Sequence, residues 1–206
     1  MARGVVRSAK EESKMTLSEQ KSALRKEIRA ALKRISPAAR DAASAQLCAR
    51  LMDQSFWKDA ASILFFAPLP DEADVWPLLE ETVAGGKIAA LPRFDPADRS
   101  YGARRVQDVR AEIVTGKFGI REPGPGCVDI PLTQISLVLV PGVAFDLRGN
   151  RLGRGRGFYD RLLAETRGVR CGIAFEEQIV GAVPAQEHDL KMNLILTPAR
   201  CMRAAG

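Results

Sequence analysis

The sequence predicts an α/β fold: a single three-layer domain with a mainly parallel sheet and helices on both faces. Three observations predict it. Short apolar runs without polar alternation, such as Ser62–Ala67 (SILFFA) and Leu137–Val140 (LVLV), read as strands buried on both faces. Stretches of helical period lie between such runs, which is the element order of a parallel sheet. The chain has 206 residues with 46% hydrophobic and 27% charged, which excludes a disordered chain and suits one well-filled core.

Residues 1–15 (MARGVVRSAKEESKM) carry no apolar period. They are too polar for a signal peptide, and Glu11 and Glu12 argue against a transit peptide. They read as a disordered tail before a domain over residues 16–206, with Met15 as an alternative start. Thr16 and Glu19 have capping-box spacing, and Leu24, Ile28, Ala31, Leu32 and Ile35 recur at helical spacing, so a helix is expected over about 17–35. Lys21, Arg25 and Arg29 fall on one stripe of that helix. Ser36-Pro37 reads as a cap and first residue of a second helix to about Leu51. After the strand at 62–67, a helix is expected over 74–84, stopped by Gly85-Gly86, and a strand over 87–91 closed by Pro92. Residues 93–130 are rich in Gly, Pro and charge, with a weak strand at 101–106. The strand 137–140, a Gly-rich loop, a helix at about 158–165 and strands at 170–175 and 193–197 complete a Rossmann-like layout.

Several chemistries are excluded early. No run of ~18 apolar residues is present to span a membrane. Cys48, Cys127, Cys171 and Cys201 are far apart with no C-x-x-C pair, which reads as free thiols in a reducing, cytoplasmic setting. His188 is the single histidine, so neither a clustered zinc site nor a Ser–His or Cys–His mechanism with its usual motif is indicated.

The informative stretch is Leu137–Arg161, LVLVPGVAFDLRGNRLGRGRGFYDR. A buried strand leads into a loop with Gly149, Gly153, Gly155 and Gly157, and a helix follows. Alternate glycines let backbone N–H groups approach an anion, and the interleaved Arg151, Arg154 and Arg156 suit phosphate oxygens. Asp160 is placed to hold a divalent cation bridging phosphates. The spacing is neither a Walker A loop nor the G-x-G-x-x-G dinucleotide fingerprint. A phosphate-binding loop is the reading favoured by its place between strand and helix; a basic surface loop is the plainer one.

The run PGVAFDLRGNRLGRGRGFYDRLL resembles the signature of the 5-formyltetrahydrofolate cyclo-ligase family, PG-x-x-FD-x-x-G-x-RLG-x-G-x-GYYDR, with Phe158 in place of a tyrosine. Other segments resemble the family in the same order. They are Lys21–Arg25, Glu72-Ala-Asp-Val, Gly86-Lys87 with Leu91-Pro92, Phe118–Pro123 (F-G-I-x-E-P) and Pro184–Asp189. Asn193 departs from an acidic residue common there.

The resemblance implies an enzyme that uses ATP and Mg²⁺ to convert 5-formyltetrahydrofolate into 5,10-methenyltetrahydrofolate. It implies that Lys21, Arg25, Arg151, Leu152, Gly153, Arg154, Gly155, Arg156, Gly157, Phe158 and Tyr159 contact ATP. Ala67 and Glu72, with Arg154, Gly155, Arg156, Gly157 and Phe158, would contact the folate. Arg154 and Tyr159 would be catalytic, and Asp160 and Asp189 would bind Mg²⁺. The partner is 5-formyltetrahydrofolate, with or without a polyglutamate tail, acting on a monomer without nucleic acid or membrane. Two other classes compete: a non-catalytic folate- or nucleotide-binding paralogue, and a nucleic-acid binder. The latter is disfavoured by only 6% aromatic residues and no known module. The net charge of +6 also argues against it, because the excess is not spread. Residues 1–40 hold 11 basic and 4 acidic residues, and 146–161 hold 5 and 2, while 41–145 hold 10 and 14.

Overall fold

A computed structural model describes residues 15–95, 100–116, 119–186 and 189–205. The proposed tail, apart from Met15, lies outside the described residues, as do Phe118 and His188.

Two helices open the chain. Helix α1 (Leu17–Leu32) has the expected capping box: Thr16 Oγ1 accepts from Glu19 N at 3.3 Å, and Glu19 Oε2 accepts from Thr16 N at 2.7 Å. It ends at Leu32 rather than 35. Helix α2 (Pro37–Met52) starts with Ser36 Oγ accepting from Ala39 N at 3.2 Å. A short α3 (Ser55–Lys58) precedes strand β1 (Ser62–Leu64), which is shorter than the apolar run that signals it. Helix α4 (Trp76–Ala84) begins two residues late, because the Asp74 carboxylate accepts from Trp76 N at 2.9 Å and holds a turn there.

Strand β2 (Ile88–Asp95) corrects an expectation, since it continues through Pro92. Its parallel partner β1 pairs only as far as Ala90, so no ladder hydrogen bond is demanded of Pro92 on that side. On the other side it pairs antiparallel with β3 (Ser100–Val106), Pro92 facing Ala103. The hairpin of β4 (Ile113–Thr115) and β5 (Arg121–Pro123) follows, then β6 (Asp129–Ile130) and β7 (Leu137–Pro141). The stretch read as one Gly-rich loop contains two short strands, β8 (Ala144–Asp146) and β9 (Arg151–Leu152). The chain closes with α5 (Phe158–Ala164), β10 (Val169–Ile173), β11 (Ile179–Val180), β12 (Leu194–Leu196) and β13 (Cys201–Arg203).

The main sheet has the order β13-β12-β10-β7-β1-β2-β3-β6. The five strands from β12 to β2 are parallel, and the antiparallel ones lie at the edges. From β1 the chain crosses through α4 to β2 on one side. From β7 it crosses through α5 to β10 on the other. Right-handed crossovers in opposite directions place their helices on opposite faces. Side-chain alternation follows. Ile63, Leu139 and Leu196 join Leu47, Leu51 and Leu79 in one core, and Leu64, Val138 and Ile195 join Leu162 and Leu163 in the other. The strand order reverses between β1 and β7, which opens a crevice at their carboxyl ends.

Candidate active site

That crevice holds a cavity of about 660 Å³. Its floor is Phe66 and Ala67, just past β1, and Pro141 and Gly142 at the end of β7. Its walls are one stripe of α1, the chain from Arg151 to Asp160, the β5 side of the β4–β5 hairpin, and Asp189-Leu190. Each of the predicted site residues lines this one cavity: Lys21, Arg25, Ala67, Glu72, the run Arg151–Asp160 and Asp189.

The loop has a rigid root. Asp146 is fully buried, and its Oδ1 accepts from Arg148 N at 2.9 Å and Asn150 N at 3.1 Å. Its Oδ2 accepts from Asn150 Nδ2 and from Val183 N, both at 2.9 Å. One carboxylate therefore closes the β8–β9 turn and ties it to the segment leading to Asp189. Beyond β9, Gly155 (φ +96°) and Gly157 (φ +66°) adopt left-handed backbone that a side chain would strain. Arg25 Nε reaches back from α1 to Gly153 O at 2.9 Å.

The charged groups are arranged in pairs. Lys21 Nζ lies 3.2 Å from Asp189 Oδ2. Arg151 donates to Pro141 O at 3.1 Å and to Asp160 Oδ1 at 2.5 Å, and its guanidinium sits 5.6 Å from the Tyr159 ring. With 5% of its side chain exposed, Arg151 fastens the loop to the end of β7. Arg154 spans the cavity: its Nε and a terminal nitrogen donate to Glu72 Oε1 at 3.1 and 2.9 Å, and the same nitrogen donates to Asp71 Oδ1 at 2.6 Å. Glu72 Oε2 accepts from Leu69 N at 3.0 Å.

Burial pushes the Glu72 carboxyl upward from its ordinary value, and the Arg154 charge and Leu69 N–H only partly oppose it. Arg154 loses hydration by burial, yet Asp71 and Glu72 hold it firmly protonated. Burial, with the Glu72 charge beside it, keeps the Tyr159 hydroxyl protonated. The thiols offer no nucleophile: burial lifts Cys48 to about 11 and Cys171 further. Aromatic packing positions the loop's end, with Tyr101 4.9 Å from Phe158 and 5.3 Å from Phe94, ring centre to ring centre.

No cluster of three His, Cys, Asp or Glu side chains occurs among the described residues. Asp160 and Asp189 each face a cation instead. Two carboxylates are a donor set of the size Mg²⁺ commonly takes, with phosphate oxygens and water completing its shell. Arg29, Asp71, Tyr101 and Arg121 also belong to the site or its ion pairs and are absent from the predicted set. Only Arg29 was signalled, by its place on the Lys21–Arg25 stripe; the others arrive through tertiary packing.

Residues 17–198 match the family described as the 5-formyltetrahydrofolate cyclo-ligase family. The 5-formyltetrahydrofolate cyclo-ligase of Mus musculus is 28% identical over 88% of this chain and 95% of its own. That of Escherichia coli K12 is 29% identical over 84% and 97%. The NMR structure of Aquifex aeolicus 5,10-methenyltetrahydrofolate synthetase superposes with a TM-score of 0.82 at 30% identity, over 90% of this chain and 93% of that one.

Proposed function

The chain belongs to the 5-formyltetrahydrofolate cyclo-ligase family, and we propose that it converts 5-formyltetrahydrofolate to 5,10-methenyltetrahydrofolate with consumption of Mg·ATP. The observation that carries this reading is the bridge from Arg154, in the Gly-rich loop, to Glu72 on the opposite wall. A phosphate-type group and a pterin-type acceptor share one cavity.

The chemistry needs little from the protein beyond placement and charge. A formyl oxygen is a poor leaving group. Its attack on the γ-phosphorus releases ADP and gives an imidate phosphate, which the neighbouring amine closes with loss of phosphate. Lys21, Arg25 and the loop from Arg151 to Tyr159 cradle the triphosphate with side chains and backbone N–H groups. Arg154 turns its fork toward the transferred phosphoryl and offsets charge there. Glu72 accepts from the donor edge of the pteridine, and Ala67 leaves room for the ring. Phe158 and Tyr159 flank the folate side of the loop. Asp160 and Asp189 would hold Mg²⁺, which would supply positive charge to offset that of the phosphates. Catalysis is then mainly alignment and electrostatics, in keeping with the absence of an activated nucleophile among the described residues.

The working unit in this reading is the domain over residues 16–206, a cytoplasmic monomer that binds neither nucleic acid nor membrane and accepts folates with or without a polyglutamate tail. No helix among the described residues is long and apolar enough to cross a membrane.

The test is direct. Purified protein, 5-formyltetrahydrofolate and Mg·ATP are mixed, and the near-UV absorbance of the methenyl product is followed. Growth of that absorbance is expected. Intact binding without it would support the non-catalytic paralogue. Arg154→Ala should lower kcat by about 10²–10³-fold, with a change of only a few fold in folate affinity. Unchanged turnover would remove Arg154 from its role.

A further inference from the structure

The cations of the cavity differ in what they already touch. Lys21 pairs with Asp189, Arg25 with Gly153 O, Arg151 with Asp160, and Arg154 with Asp71 and Glu72. Arg121, like Arg29, differs: it lines the cavity, and among the described residues its side chain has no ion pair or hydrogen bond. Its guanidinium carbon lies 3.5 Å from the centre of the Trp76 ring, the distance of direct stacking. Stacking fixes the plane of the fork and leaves its N–H edge free.

The surroundings specify what that edge would meet. Trp76 starts α4, and Arg121 borders the cavity from the β5 side of the β4–β5 hairpin. It does not belong to the α1 stripe of Lys21, Arg25 and Arg29. The neighbouring acid, Glu122, also borders the cavity but makes no ion pair with Arg121, and its charge acts on Tyr101. A free, pre-oriented guanidinium at the rim matches a carboxylate bidentately. The proposed substrate carries its carboxylates on the glutamyl group, at the end remote from the pteridine.

We propose that Arg121, stacked on Trp76, is a specificity-determining residue that binds the glutamyl carboxylate of the folate substrate. This rests on the function proposed above. The F-G-I-x-E-P segment leaves the position of Arg121 open, so the contact belongs to this chain rather than to the signature.

The test compares 5-formyltetrahydrofolate with the primary amide of 5-formyltetrahydropteroate, which lacks the glutamyl group and carries no carboxylate, on the wild type, Arg121→Gln and Arg121→Lys. Loss of one charge-assisted contact should raise KM for the glutamylated substrate about tenfold in Arg121→Gln, with kcat and KM for ATP unchanged. Arg121→Lys should recover part of the loss. For the pteroate amide, wild type and variant should agree, because it carries no carboxylate for Arg121 to bind. An equal KM penalty on both substrates, no penalty on either, or a shift in KM for ATP would overturn the assignment. Failure of the wild type to turn over either substrate would instead overturn the proposed function, and this inference with it. Thermal melts of the variants check that this exposed substitution leaves the fold intact.

Discussion

At Glu72 burial and charge pull in opposite directions. Its side chain is 8% exposed, which favours the neutral acid, while Arg154 favours the carboxylate; burial prevails and its pKa lies above the ordinary 4.5. The sign of the consequence follows. An acid raised in the folded state holds a proton there that the unfolded chain has already released. Its contribution therefore weakens as pH rises from 4.5 through the raised folded value, then levels off. Glu72→Gln removes this dependence, so the Tm of the variant minus that of the wild type should climb over that window. A pH-independent difference, measured by thermal melts across the window, would refute it. The residue types were legible in the chain: carboxylates after a strand, arginines among glycines. Their pairing was not, because Arg154 and Glu72 are 82 positions apart and only the closing of the sheet brings them together.

Among elements, the β8–β9 hairpin was the least legible. Its strands are three and two residues long, too short for a periodic signal, and its glycines mimic a plain loop. Packing makes it an ordered element. The Phe145 ring is clamped between Gly142 and Gly172, where an added methyl carbon would lie 2.6 Å from it on either side. A methyl on the β10 glycine forces the ring or strand aside. Gly172→Ala is expected to cost about 1–3 kcal/mol through overpacking, read as a Tm lowered by roughly 2–12 °C. Gly172 does not line the cavity, so kcat measured well below the transition should hold. Unchanged Tm would show that the clamp has slack. Pro92 teaches a related point. Its lack of an N–H suggested a strand end, yet β1 has already stopped, so the missing donor is not needed on that side.

For the whole molecule, the switch of strand order between β1 and β7 explains why distant segments form one cavity. Helix α1, the β4–β5 hairpin and the Gly-rich loop all overhang the same carboxyl ends. A ligand in that cavity touches many parts of the fold at once and binds only the folded form. At 100 times its dissociation constant it should stabilise the protein by about 2.7 kcal/mol. Mg·ATP and 5-formyltetrahydrofolate should therefore each raise Tm by several degrees in a thermal-shift assay. Lys21→Ala should weaken the response to Mg·ATP more than the response to folate. Equal weakening of both would mean that the α1 stripe does not define a nucleotide side.

The sequence by itself determined the local structure and the chemistry on offer. Caps, helical periods and unbroken apolar runs act over a few residues, so α1, α2, β7 and α5 could be read to within a few positions, and the Gly/Arg loop reads as an anion site by its composition. What only the tertiary structure decided was pairing. It set Arg154 on Glu72, Arg151 into the anchoring of its own loop, and Arg121 on Trp76 with its fork free. Those outcomes depend on strand order and on which face each crossover takes, and these are set by the packing of two cores together.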